Sequence, residues 1–91
     1  CPLGPFIQTN FEKNPELDIK CFVNNELKQD GNTRDMIFSI GDILCFVSSI
    51  MTLLPGDVIL TGTPEGVSKV GPGDEIKIEI ETIGTLVNSI K

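Results

Sequence analysis

Residues 54–66, Leu-Pro-Gly-Asp-Val-Ile-Leu-Thr-Gly-Thr-Pro-Glu-Gly, constrain this chain more than any other stretch, because an apolar run leads straight into a Gly-Thr-Pro corner. Pro55-Gly56 is turn chemistry, and Val58-Ile59-Leu60 has no polar alternation, which predicts a short strand buried on both faces. Thr61-Gly62-Thr63-Pro64 ends that strand. Pro64 has no amide to continue a ladder, and Gly62 permits another group to come close to the backbone. The two threonines leave hydroxyls and amides at the strand's exit. Polar donors held there make a seat for a small anion; the same four residues also serve as a plain turn, and both readings stand at this point.

The chain has 91 residues, enough for one small domain with a marginal core. Three cysteines, Cys1, Cys21 and Cys45, cannot form a paired framework and fit no zinc spacing, so they are read as reduced and intracellular. A net charge of −6, with seven Lys plus Arg scattered singly, argues against nucleic acid or an anionic membrane as a partner. Histidine is absent, which removes the commonest general base and the commonest transition-metal ligand together. Tyrosine and tryptophan are absent too, so a stacking platform for bases is not expected. The opening Cys-Pro-Leu-Gly-Pro carries neither an initiating methionine nor a signal-like segment and reads as the interior of a longer protein.

Taken in order, residues 6–9 are a short strand candidate and residues 10–16 a surface loop with a turn at Asn14-Pro15. Residues 18–23 alternate, with Ile19, Cys21 and Val23 on one face, and Asn24-Asn25 supplies the positive φ angles of a two-residue hairpin returning through residues 26–29. Asp30-Gly31-Asn32 predicts a further tight turn. Ser39 caps the one convincing helix, with Asp42 in place of the usual Glu of a capping box. Ile40, Ile43, Leu44, Val47, Ile50 and Met51 recur at helical spacing, whereas Gly41, Cys45, Ser48, Ser49 and Thr52 make the opposite side small rather than charged. Residues 43–56 carry no charge, too short for a membrane span and too apolar for a solvated face, so protein should cover both sides of the helix. Residues 68–74 form a loop around Gly71-Pro72-Gly73. Residues 75–81 then alternate with Ile76, Ile78 and Ile80 inward, and residues 85–90 return as the last strand after a turn at Ile83-Gly84. This hairpin-rich order predicts an α+β fold.

Few residues carry recognisable chemistry. Glu79 and Glu81 share one strand face at a spacing that suits a hard metal ion, but beside Lys77 they read first as the solvated face of a hairpin. Asp30 and Asp35 flank a turn, where capping accounts for them, and Asn32 and Thr33 are equally ambiguous. Glu65 follows the Thr63-Pro64 corner within reach of a ligand there, and Cys45 has no basic neighbour to activate it. From the residues alone there is a candidate anion seat and no catalytic machinery.

Several stretches together resemble the fumarylacetoacetate hydrolase family, in the branch of acylpyruvate hydrolases, oxaloacetate decarboxylases and hydroxymuconate-type isomerases. They are Cys-Pro-Leu-Gly-Pro at 1–5, Val-Asn-Asn-Glu-Leu-Lys-Gln-Asp-Gly-Asn-Thr at 23–33, Asp-Met-Ile-Phe-Ser-Ile at 35–40 and, above all, Pro-Gly-Asp-Val-Ile-Leu-Thr-Gly-Thr-Pro-Glu-Gly-Val at 55–67. Gly-Asp-Glu-Ile at 73–76 and Ile-Gly-Thr-Leu-Val-Asn at 83–88 fit as well. The resemblance implies a β-rich mixed-sheet roll with one main helix, of which residues 1–91 are the C-terminal segment of a single catalytic domain. It also implies an enzyme that binds Mg²⁺ or Mn²⁺ and cleaves, decarboxylates or isomerises 2-oxo or β-diketo acids, the ion polarising the carbonyl. The family's metal carboxylates and catalytic lysine precede this stretch, so no catalytic residue and no metal ligand carries over, and Glu79-x-Glu81 is not the family's Glu-x-Glu. What carries over is Thr63, with Gly62 beside it, as the contact to the substrate carboxylate. A small-molecule 2-oxo acid partner, a homodimer of the longer chain and a cytoplasmic or mitochondrial-matrix location are the remaining expectations. The competing expectation is a non-catalytic β-rich dimerisation or interaction module.

Overall fold

The computed structural model describes residues 1–11 and 14–91. The elements run β1 (Asp18–Val23), β2 (Glu26–Asn32), a 3-10 turn (Thr33–Asp35), α1 (Ile40–Ile50), β3 (Glu75–Ile80) and β4 (Gly84–Ser89). The strands form one sheet in the order β2-β1-β3-β4, each pairing antiparallel. The α+β class expected from the sequence is the one observed.

The alternation in β1 and β3 determines how they meet. Ile19, Cys21 and Val23 stand opposite Ile80, Ile78 and Ile76, an apolar ladder on one face, and Leu86 of β4 joins it opposite Ile78. On the other face Lys20 faces Glu79 and Phe22 faces Lys77. There the Lys77 ammonium lies 4.5 Å from the centre of the Phe22 ring and 3.3 Å from a Glu79 carboxylate oxygen. The β1–β2 turn is as expected, with Asn24 and Asn25 at φ 50° and 65°.

Three expectations fail for one reason, which is that long-range pairing decides where strands form. Asp30-Gly31-Asn32 is not a turn: β2 continues through it, with Asp30, Gly31 and Asn32 paired to Lys20, Ile19 and Asp18. Residues 6–9 and Val58-Ile59-Leu60 form no strand and pair with neither edge strand, β2 or β4. Leu60, expected inside, is 80% exposed. The loop expected at 10–16 is irregular in its described part, and Glu12 and Lys13 lie outside the described residues.

Helix α1 begins where the sequence places it. The Ser39 hydroxyl accepts from the Asp42 amide at 3.1 Å, and the Asn14 side-chain oxygen accepts from the Gly41 amide at 2.9 Å, so two of the free amides of the first turn are satisfied. The cover expected on both sides of the helix is not supplied by the described residues. Gly41 is its one buried position, while Leu44, Phe46 and Ile50 are exposed. Leu17, at 8% exposure, is the single buried apolar side chain among the described residues. The accessible surface of 7108 Å² exceeds by more than a third the roughly 5,200 Å² typical of a folded monomer of 9.9 kDa. The surplus is largely apolar, with Ile37 at 93% as its extreme.

Asp74 ties the two halves of the sheet together at the entry to β3. Its carboxylate accepts from the Gly71 amide at 2.8 Å and from the Asn24 side-chain amide at 2.9 Å, while Asn24 also accepts from the Glu75 amide at 2.9 Å. The Gly71 hydrogen bond, followed by that from Asn24, holds the Asp74 carboxyl below its ordinary value. A depressed carboxyl stabilises the fold fully above the unfolded value near ~3.9 and loses that contribution as pH falls through the folded value. Asp74→Asn should therefore lower the urea midpoint at pH 7. It should also flatten the decline of that midpoint on acidification below about pH 4, the unfolded carboxyl range; an unchanged acid limb would exclude the link.

Candidate functional site

The Thr-Gly-Thr-Pro corner does not lie loose on the surface; it is fastened to β2. The Gln29 side-chain amide nitrogen donates to the Thr63 hydroxyl at 2.8 Å and to the Pro64 carbonyl at 2.7 Å. Gly31 gives Pro64 room, since a Cβ on Gly31 would stand 3.1 Å from the Pro64 ring. Gly66, at φ 101°, passes so close to β2 that a Cβ there would collide with the Lys28 carbonyl oxygen. Sequence reasoning missed all four contacts. They join residues more than thirty positions apart, and Gln29 carries no local mark that would have singled it out.

The fastened corner forms one wall of a groove of about 820 Å³, the size of a small-molecule site. Thr61, Gly62, Thr63 and Glu65 line that wall, Asp30, Asn32, Thr33 and Asp35 face them, and Phe38, Ile40, Ile43 and Leu44 give the groove an apolar side. Thr63 and Gly62, the expected substrate contacts, are thus together at the groove. Gly62 is needed for its backbone, at φ 93°, because nothing lies within 4 Å of where its Cβ would be.

Of the polar candidates, Asn32 and Thr33 are committed to the fold. Asn32 donates to the Asp18 carboxylate at 2.8 Å and accepts from the Arg34 amide at 2.9 Å. The Thr33 hydroxyl accepts from the Leu17 amide at 2.8 Å and donates to the Pro15 carbonyl at 2.6 Å. Asp30, Asp35 and Glu65 all reach the groove, which is therefore electronegative. Glu79 and Glu81 lie at a different depression with Asp18 and Lys20, where Glu81 accepts from the Asp18 amide at 3.1 Å. Cys45 is exposed on α1. Among the described residues no three His, Cys, Asp or Glu side chains assemble into a metal-binding set, so these residues do not by themselves fit a divalent ion. No helix among them is long and apolar enough to cross a membrane.

The Thr-Gly-Thr corner, held on the edge strand β2, thus borders a partly apolar groove, and comparison with known proteins gives the family of the chain. The family described as fumarylacetoacetate (FAA) hydrolase, C-terminal, matches residues 1–91. The chain belongs to the fumarylacetoacetate hydrolase family. It is 50% identical, over 98% of its length, to the 4-hydroxyphenylacetate degradation bifunctional isomerase/decarboxylase of Salmonella dublin, and 46% identical, also over 98%, to the maleylpyruvate hydrolase of Aquipseudomonas alcaligenes. It superposes on the crystal structure of maleylpyruvate hydrolase from Sphingobium sp. SYK-6 in complex with manganese(II) and pyruvate with a TM-score of 0.93, at 43% identity over 99% of this chain. The chain spans 21% and 32% of the lengths of the two relatives and 35% of that structure.

The fastening predicts a specific hierarchy of glycine substitutions. Gly56→Ala, at φ 96° in open space, should cost only the positive-φ strain of about 1–2 kcal/mol. Gly66→Ala adds a collision with the Lys28 backbone and should cost clearly more, read as urea midpoints of the two variants. Equal losses would show that the corner is not held against β2.

Proposed function

We propose that these residues are the C-terminal part of the catalytic domain of a divalent-metal-dependent enzyme acting on 2-oxo or β-diketo acids, and that they contribute the contact to the substrate carboxylate. The observation that carries this reading is that Thr61, Gly62 and Thr63 line one groove together with apolar residues of α1 that suit a short carbon chain. The names of the relatives support the chemistry: one is an isomerase/decarboxylase and another a maleylpyruvate hydrolase. Such reactions move negative charge onto a substrate carbonyl while the carboxylate anchors the molecule, and anchoring is what a neutral donor at Thr63 supplies.

The electronegative lining bears on the rest of the site. With Asp30, Asp35 and Glu65 around it, an anion in this groove needs a cation that the lining does not provide. We infer that Mg²⁺ or Mn²⁺ meets that need, held by carboxylates outside these 91 residues. The exposed apolar surface of α1 and residues 58–60 would be covered by the remainder of the domain and by a second subunit in a homodimer. A reducing compartment, the cytoplasm or the mitochondrial matrix, belongs to the same proposal and suits three unpaired cysteines. The exposed apolar surface would also suit a non-catalytic dimerisation module; the enzymes among the relatives, matched over nearly the whole chain, favour the catalytic reading.

Thr63→Val keeps the shape of the side chain and removes its hydroxyl. In the longer enzyme, loaded with Mg²⁺ or Mn²⁺, calorimetric affinity for pyruvate should fall roughly ten- to a hundredfold, the range for one hydrogen bond to a charged group. Wild-type affinity would overturn the assignment of the corner and favour the module.

A further inference from the structure

We propose that Gln29 is a positioning residue that turns the Thr63 hydroxyl proton toward the groove. The inference rests on the reading of the corner as a carboxylate contact and adds what gives that contact its polarity. One nitrogen of the Gln29 side chain lies 2.7 Å from the Pro64 carbonyl oxygen and 2.8 Å from the Thr63 hydroxyl oxygen. A carbonyl oxygen only accepts, so the Pro64 contact fixes the NH₂ end of the amide toward the corner. Its second hydrogen then occupies a lone pair of Thr63 Oγ1, and the hydroxyl's own proton has to point elsewhere. Thr63 lines the groove and Gln29 does not, so the direction left for that proton is toward a bound molecule.

A freely rotating threonine would serve an acceptor or a donor equally. Held by Gln29, it has one lone pair already filled and its proton free for the groove, which favours a carboxylate over an ammonium at that point. Gln29 itself is half-buried on β2 opposite Cys21, where its amide is paired without a charge being brought to the sheet.

Two substitutions in the longer metal-loaded enzyme test the inference, with pyruvate affinity as the readout. Gln29→Met keeps the length of the side chain and removes both donated bonds; affinity should fall about three- to tenfold, less than in Thr63→Val, as for a neutral hydrogen bond. Gln29→Glu places an acceptor beside Thr63, draws its proton away from the groove and should lose more than Gln29→Met at pH 7. When that glutamate is protonated it can donate a hydrogen again, so the affinity of this variant relative to wild type should recover as pH falls through about 4.3, the ordinary glutamate value. The charged neighbours Lys28, Asp30 and Glu65 are common to both proteins, so the variant is read as a ratio to wild type at each pH. Wild-type affinity in both Gln29 variants, with Thr63→Val impaired, would overturn this inference alone. A loss in both Gln29 variants with no recovery at acid pH would also overturn it, reducing Gln29 to a structural tie. Wild-type affinity in Thr63→Val would overturn the underlying carboxylate reading and this inference with it.

Discussion

The antiparallel pairing of β1 with β3 is the interaction on which the rest of this structure depends. It joins strands that the sequence separates by β2, α1 and the whole Thr-Gly-Thr-Pro stretch, and it does so through a ladder of Ile, Val and Cys side chains. Each rung is only partly shielded, so each contributes a fraction of the roughly 1.5–3 kcal/mol of a fully buried aliphatic residue. Several rungs together must offset the entropy of closing that long excursion, a cost that rises slowly with its length. Once β1 is held between β2 and β3, the position of Gln29 and Gly31 is settled, and with it the place where the corner docks.

The groove inherits two unlike properties from that arrangement. Its polar wall is well determined, because the corner is joined to β2 by two hydrogen bonds from one side chain and by two glycines that allow backbone contact. Its apolar side is not, because Leu44 and Phe38 carry substantial exposed surface and α1 has little against its outer faces. Preorganisation on one side and incomplete cover on the other is the condition of a half-built site, and the relatives this chain matches are about three to five times its length. Together with the surplus accessible area, this separates what the 91 residues hold in place from what has to be supplied to them.

Much of the sheet was legible because its signals are local. Alternation in residues 75–80, the Asn24-Asn25 turn and the Ser39 cap each need only a few neighbouring residues, and each is where the sequence predicts it. Asp30-Gly31-Asn32 misled because Asp-Gly-Asn is good turn chemistry, whereas cross-strand partners in β1 draw it into a strand and its glycine serves an approach by Pro64. Val58-Ile59-Leu60 misled because an apolar run states a demand for burial without stating who meets it. The Thr63 corner was visible as unusual chemistry and sharpened by the family resemblance; Gln29 was invisible, since its role exists only after folding brings residues 29 and 63 together.

The same topology orders events in time. Both hairpins, β1–β2 and β3–β4, close through short turns and can form on the microsecond scale typical of such units, whereas the β1–β3 seam requires a search over the intervening chain. The groove is lined by β1, β2, α1 and the corner, and it exists only once the corner has settled on β2. Its corner wall is therefore a later product of folding than the hairpin on which it docks, and opening it breaks both Gln29 hydrogen bonds. A ligand that bridges the two walls would slow that opening, so occupancy of the site and the lifetime of the closed sheet are coupled through a single loop.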